Sequence, residues 1–252
     1  MTARLAHIYR HPIKSHGRES LAAVYLTEGQ TMPWDRRWAV THAHSKWDQS
    51  DPRWLACVNF LLGSGVASLM AITARLDEAG PDVVLSHPDR PDLAINPDAP
   101  GDQARFIDWV APILPQDRAA TGLVTVPGRG MTDTDYPSVS ICNIASNAAL
   151  GDLMGAELSP LRWRGNLWVD GWDAWAEGHL LGKRVRIGAA EFDLREPIKR
   201  CKATTANPVT GRSDIDTLAG LRAHTGAQDF GVYAVVVRGG LIRSGDPVEM
   251  VT

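Results

Sequence analysis

The sequence predicts a mainly β protein of the α+β kind, with a few helices at its periphery. Three observations carry this prediction. Short apolar segments alternate with polar, glycine-containing turns along most of the chain. The C-terminal run Phe230–Val237 is apolar on both faces and is followed by the turn Gly239-Gly240 and a return through Leu241–Arg243. Only a few stretches place apolar residues at helical spacing. A strand buried on both sides and paired through a tight turn suits a closed barrel or a covered sheet.

Strands are expected around Leu5–Tyr9, Val24–Leu26 and Trp38–Thr41. The apolar run from Cys57 to Thr73 reads as buried protein, and residues 80–101, dense in Pro, Asp and Gly, read as turn and loop. A helix is expected to place Phe106, Ile107, Val110 and Leu114 on one face and to bend or stop near Pro112. Residues 115–137 again read as loop, so two domains are expected, 1–115 and 116–252. The second opens with a strand over Val139–Ile141, then a helix capped at Asn143 or Ser146 and ended by Gly155. Val185/Ile187 and Phe192/Leu194 read as strands across the turn Gly188-Ala189-Ala190. Ile215, Leu218 and Leu221 suit a short helix capped at Ser213 or Asp214 and closed by Gly226.

Bulk properties narrow the function. At 252 residues the chain can bury a core without staples. Its formal net charge of −3 lacks the basic footprint of a general nucleic-acid binder, so any anion site must be a local cluster of cations. Three cysteines, Cys57, Cys142 and Cys201, are widely spaced, with no CxxC pair to propose zinc or an iron–sulfur cluster. A reducing compartment fits this usage. The N-terminus lacks the apolar core of a secretory signal and no membrane span stands out, so the expected location is cytoplasmic.

One segment stands out chemically. Arg195-Glu-Pro-Ile-Lys-Arg-Cys201-Lys-Ala-Thr-Thr sets a thiol between Arg200 and Lys202, and cations beside a thiol favour the thiolate that binds metals. The same run also suits an exposed basic loop with an incidental cysteine. His42 and His44 alternate on an expected strand, but two ligands do not make a metal site and a solvated pair explains them as well. No Walker A loop, GxGxxG, GxSxG or HExxH is present. Lys14, Arg36, Arg164 and Arg200 each lie beside aromatic or apolar residues. Cations near a core are costly unless an anion meets them, and guanidinium and ammonium groups bind phosphate.

Several pieces, in order, resemble the MOSC family with its accompanying N-terminal β-barrel domain. Tyr9-x-x-Pro-x-Lys-Ser15 resembles the family's opening strand, and Asp35-Arg-Arg-Trp38 its DR-aromatic-aromatic element. Arg162-x-Arg-Gly-Asn166 with Val169-Asp-Gly171 resembles its RxRPN…VxG segment. Gly182–Gly188 leads into Pro197-x-x-Arg-Cys201-x-x-Thr-Thr-x-x-Pro-x-Thr-Gly211, which resembles the central cysteine motif. Phe230-Gly-Val-Tyr-Ala234 and Ile242-Arg-x-Gly-Asp-Pro-Val248 resemble the closing hairpin.

The resemblance implies an N-terminal β-barrel-like domain followed by a MOSC β-barrel domain with peripheral helices. It implies a molybdenum-molybdopterin cofactor with Cys201 as metal ligand and catalytic residue. Lys14, Ser15, Arg36, Arg164, Asn166 and Arg200 fall where relatives hold the pterin and its phosphate. Relatives of this layout include the mitochondrial amidoxime-reducing component and bacterial reductases of N-hydroxylated compounds, whose reaction removes oxygen from nitrogen with two electrons and two protons. The implied activity is reduction of a small N-hydroxylated or N-oxide substrate; the alternative is a non-enzymatic carrier of the cofactor or its sulfur. With no iron–sulfur segment visible, electrons are expected from a separate ferredoxin or flavin-reductase partner, and neither nucleic acid nor membrane is expected to bind. The chain departs from the pattern at Arg37, Gly165, Lys199 and Asn207, where an aromatic, Pro, a small residue and Asp are usual; the last two lie close to the expected metal position.

Overall fold

The computed structural model describes residues 3–251. The first half of the chain forms β1 (Arg4–Arg10), β2 (Glu19–Leu21), β3 (Ala23–Leu26), β4 (Trp38–His42), β5 (Thr73–Leu76), β6 (Val83–His87), β7 (Arg90–Ile95), α1 (Pro100–Val110) and β8 (Ala120–Thr125). The second half forms β9 (Val139–Asn143), α2 (Ile144–Met154), β10 (Leu167–Asp170), α3 (Ala176–His179), β11 (Arg184–Ile187), β12 (Ala190–Lys199), α4 (Thr217–Thr225), β13 (Asp229–Arg238), β14 (Gly240–Arg243) and β15 (Val248–Val251). The fold class is mainly β, as the alternating patterns predict.

The largest sheet runs β15-β11-β12-β13-β9-β10-β1-β2. β9 and β10 are parallel, and α2 lies between them in sequence as a crossover; every other pairing in this sheet is antiparallel. β1 enters the sheet of the second half, pairing Leu5 with Val169 and Ile8 with Leu167. Leu5 and Ile8 consequently share one core with Ile141, Phe192 and Val232, all fully buried. A second core, around Trp38, Leu69, Leu85 and Phe106, is enclosed by the β4–β8 pair, the β5-β6-β7 sheet and α1. The segment joining β1 to β4 therefore passes from one core to the other.

Local chemistry explains the helix ends. Pro100 opens α1, and Pro112 lies in the 3-10 turn Ala111–Ile113 that closes it. Asn143 caps α2 by accepting from the Ala145 N–H at 3.0 Å, and Gly155 ends it in the left-handed conformation (φ 63°). α4 is capped by Asp216, two residues beyond the expected Asp214. Asp214 is instead bound by Arg162.

Three expectations are corrected. Residues 80–101 hold the β6–β7 hairpin, turned by Pro88-Asp89 between His87 and Arg90. Pro91 is tolerated there because β7 is an edge strand. Residues 115–137 hold β8, paired along β4. The Gly239-Gly240 turn does not make a hairpin: β14 leaves β13 and pairs with β3, Leu241 opposite Tyr25. Gly240 permits that departure, since a Cβ there would lie 2.7 Å from the Ala189 carbonyl carbon. No helix among the described residues is long and apolar enough to cross a membrane.

Candidate functional site

A cavity of about 590 Å³ opens where the end of β12, the segment after β1, the turn between α2 and β10, and the segment before β9 meet. Lys14, Ser15, Arg36, Arg164, Arg200 and Cys201 all line it, so residues scattered across the sequence converge.

Cys201 follows β12 and opens the 3-10 turn Lys202–Thr205. Its carbonyl accepts the Thr204 N–H at 3.2 Å and the Thr204 hydroxyl at 3.1 Å, which fixes the backbone while the side chain stays exposed. The other thiols differ. Cys57 also reaches the cavity, but burial and the Asp133 carboxylate beside it, to which it donates at 3.1 Å, push its thiol up to about 11. Cys142 is fully buried in the core, and that burial pushes it up to about 11. Cys201 is thus the one cysteine that combines exposure with a place on the cavity wall.

The cationic wall carries backbone strain. Ser15 (φ 61°), Arg36 (φ 51°) and Arg164 (φ 49°) are three non-glycine residues in the left-handed region, each at a cost of about 1–3 kcal/mol. Lys14 is 2% exposed; its ammonium donates to the Met131 carbonyl at 2.9 Å and pairs with Asp133. Arg36 pairs with buried Asp35 and donates to the Arg164 carbonyl at 3.1 Å. Asp35 also accepts the His11 N–H at 2.8 Å. Burial opposes ionisation of Asp35, but the Arg36 guanidinium and the His11 bonds outweigh it and hold the carboxyl below the usual carboxylate range. Among the described residues Arg164 has no carboxylate partner. Its Nη2 reaches the Ile13 carbonyl at 3.4 Å, and its buried Nη1 has no partner among the described residues. Burial, with Arg36 and Arg18 nearby, pushes this guanidinium down to about 9. A buried donor without a partner is costly, so this guanidinium is suited to meet an anion.

Two residues take other positions. Arg200 lines the wall, but its Nε donates to the Phe230 carbonyl at 2.8 Å and its Nη1 to the Trp163 carbonyl at 2.7 Å. Its guanidinium therefore ties β13 to the Pro160–Trp163 turn and approaches Cys142 Sγ, at 3.5 Å, rather than Cys201. Asn166 is not among the lining residues. It accepts the Ser140 N–H at 3.1 Å and the Ser140 hydroxyl at 2.8 Å, and donates to the Tyr9 carbonyl at 3.2 Å. It holds Ser140, which does line the cavity.

The departures acquire reasons. A Cβ at Gly165 would lie 2.6 Å from Cys142 Sγ, which excludes proline there. Asn207 lies outside the lining: it closes the turn by accepting the Val209 N–H at 2.8 Å and donates to Asp214 at 2.8 Å. Arg37 stacks over Trp34 and Trp38. Lys199 lines the cavity. His42 spends Nε2 on the Val58 carbonyl at 2.9 Å and Nδ1 on the His44 N–H at 3.2 Å, and no cluster of three metal-capable side chains occurs among the described residues.

Sequence reasoning missed Asp133, Tyr233 and Ser140 as cavity residues. The signal for Asp133 was present: two aspartates in Thr132-Asp-Thr-Asp135, just ahead of an apolar strand.

The cavity thus brings together an exposed thiol and several cations, with three of its lining residues in the left-handed conformation. A MOSC N-terminal beta barrel domain model matches residues 2–121, and a MOSC domain model matches residues 132–249. The chain belongs to the MOSC family, which binds the molybdenum cofactor. No curated protein matches it. Among solved structures it is similar to the YuaD protein from Bacillus subtilis, at 14% identity over 99% of this chain and 96% of that one, with a TM-score of 0.48. It is also similar to YiiM from Geobacillus stearothermophilus, at 18% identity over 45% of this chain and 54% of that one, with a TM-score of 0.36. YiiM from Escherichia coli is 21% identical over 45% and 54%, with a TM-score of 0.34.

Proposed function

We propose that this protein binds the molybdenum-pterin cofactor through Cys201 and reduces small N-hydroxylated or N-oxide substrates. The observation that carries the reading is the convergence of one exposed thiol with a cationic wall whose Arg164 Nη1 has no partner among the described residues. The residues present fit the cofactor: a thiolate for the metal, and guanidinium, ammonium and hydroxyl groups for the phosphate. Cys201 would hold the metal, and Lys14, Ser15, Arg36 and Arg164 the pterin phosphate. When bound, the cofactor supplies two-electron chemistry for cleaving the N–O bond.

The chain's own groups do the rest. Asp35 fixes the Arg36 guanidinium, and Asn166 fixes Ser140. Arg200 holds the Pro160–Trp163 turn against β13 and so sets the spacing between the cationic wall and Cys201. Burial, with Asp133 close by, pushes the Tyr233 phenol far above its ordinary range, so it stays protonated and offers a neutral O–H to the cavity. Trp54 and Leu62 add apolar surface to the lining.

The test is turnover of benzamidoxime to benzamidine by protein expressed in cells that make the cofactor, with a reduced viologen dye as donor. Turnover that disappears in Cys201→Ala supports the reading. Protein that contains molybdenum yet reduces no N-oxygenated substrate overturns the reductase assignment and favours a cofactor carrier.

A further inference from the structure

Strands β12, β13 and β9 lie side by side, and one row of residues across them lines the cavity. Tyr233 on β13 stands opposite Glu196 on β12 and Ser140 on β9, and all three are lining residues. Two of these polar ends are committed. Glu196 accepts the Tyr136 hydroxyl at 2.5 Å. The Ser140 hydroxyl donates to the Asn166 side chain at 2.8 Å and accepts the Asn166 N–H at 2.8 Å. Two further hydroxyls on the wall are spent as well: Thr134 donates to the Tyr136 carbonyl at 2.7 Å, and Thr204 to the Cys201 carbonyl at 3.1 Å. Among the described residues, no hydrogen bond engages the Tyr233 hydroxyl.

The phenol stands between the two ends of the cavity. The charges that act on it include Asp133, Arg200 and Arg36. Arg36 belongs to the cationic wall, and Arg200 directly precedes Cys201. Tyr233 is half-buried on a strand that has neighbours on both sides, so its ring is held in place. Burial, with Asp133 nearby, raises the phenol against the pull of Arg200 and Arg36 and keeps the hydrogen on its oxygen. Such a group gives a hydrogen bond rather than a proton.

We infer that Tyr233 is a catalytic residue whose hydroxyl donates a hydrogen bond to the N–O group of the substrate, an inference that rests on the reductase reading above. In reduction of an amidoxime the N–O bond breaks and two electrons enter from the external donor. One proton goes to nitrogen and one to the oxygen, which leaves as water. Electrons that enter ahead of protons place negative charge on the separating atoms. A neutral donor fixed beside them stabilises that charge without reorganising, and a half-buried setting strengthens the bond.

The test is Tyr233→Phe, which removes the hydroxyl and keeps the ring, in protein from cofactor-producing cells with benzamidoxime as substrate and a reduced viologen dye as donor. The kcat per molybdenum is expected to fall about 100- to 1000-fold while KM rises only about 2- to 10-fold, the split of a bond that strengthens as charge develops. Molybdenum content and Tm are expected to match wild type, which separates the contact from a role in holding the cofactor or the fold. A kcat within about tenfold of wild type overturns the assignment and leaves the reductase reading standing. Loss of molybdenum in the variant also overturns it, because the hydroxyl then holds the cofactor. If wild type turns over no substrate, the reductase reading fails by itself, and calorimetric binding of benzamidoxime to the purified proteins decides the contact. Binding about 2- to 10-fold weaker in the variant supports it, and equal or absent binding overturns it.

Discussion

Arg164→Met is expected to stabilise the cofactor-free protein and to abolish its cofactor binding. The reasoning starts from a guanidinium that burial and two neighbouring arginines push down to about 9. Relative to its ordinary range, that corresponds to an upper bound of about 5 kcal/mol of unfavourable burial, at about 1.4 kcal/mol per tenfold change. Water entering the open cavity and the Ile13 carbonyl at 3.4 Å offset part of it. The realised penalty is about 1–3 kcal/mol, the scale on which apolar replacements of buried charge stabilise proteins. Methionine keeps much of the volume and the left-handed backbone strain, so the change is the charge and the one long bond to Ile13. For a chain of this size the gain corresponds to a rise in Tm of about 2–12 °C. The assay is thermal unfolding of cofactor-free protein in a buffer without phosphate, with molybdenum content measured on protein from cofactor-producing cells. A variant that melts lower than wild type, or that keeps its molybdenum, refutes the view that Arg164 is an uncompensated charge awaiting an anion.

Asp35→Ala should act in the opposite direction, because it strands the Arg36 guanidinium and the His11 N–H. The expected loss is about 3–5 kcal/mol by denaturant titration, and a loss below about 1 kcal/mol contradicts the buried-pair assignment. Asp35 and Asp133 are both held below the carboxylate range, Asp133, half exposed on the cavity wall, by Lys14 and Arg36. Their stabilisation is therefore complete above the unfolded value of about 4 and is lost as pH falls below it. Wild-type stability should drop from about pH 4 downward, and the Asp35→Asn/Asp133→Asn variant should lose much of that dependence. In cofactor-free protein one thiol, Cys201, should react quickly with a disulfide reagent at pH 8, while Cys57 and Cys142 react slowly. Fast labelling that persists in Cys201→Ala would show that another thiol is the accessible one.

Helices α1, α2 and α4 were legible because their signals are local, whereas the single turn of α3 was not. Asn143 and Gly155 bracket α2, and Pro112 marks the end of α1. Strands with clean alternation, such as β11, were legible for the same reason. β6, β7 and β8 were hidden because Pro91 and the surrounding Asp and Gly residues imitate loop composition, and only an edge position makes Pro91 compatible with a strand. The β14–β3 pairing was invisible because it joins segments more than two hundred residues apart, whereas the Gly239-Gly240 turn suggests a local hairpin. At the site, Lys14, Arg36, Arg164 and Cys201 were readable as cations and a thiol in unusual company. Their convergence was not readable, since it depends on β1 entering the sheet of the second half. The inward turn of Arg200 and the backing role of Asn166 depend on carbonyls that no sequence spacing specifies.

The most direct test of the central claim, that this cavity holds the molybdenum cofactor through Cys201, is elemental analysis of purified protein from cofactor-producing cells beside a Cys201→Ala variant of equal thermal stability. Near-stoichiometric molybdenum in wild type that is lost in the variant is the predicted result. Equal molybdenum in the two proteins contradicts the ligand assignment, and none in either contradicts the site itself.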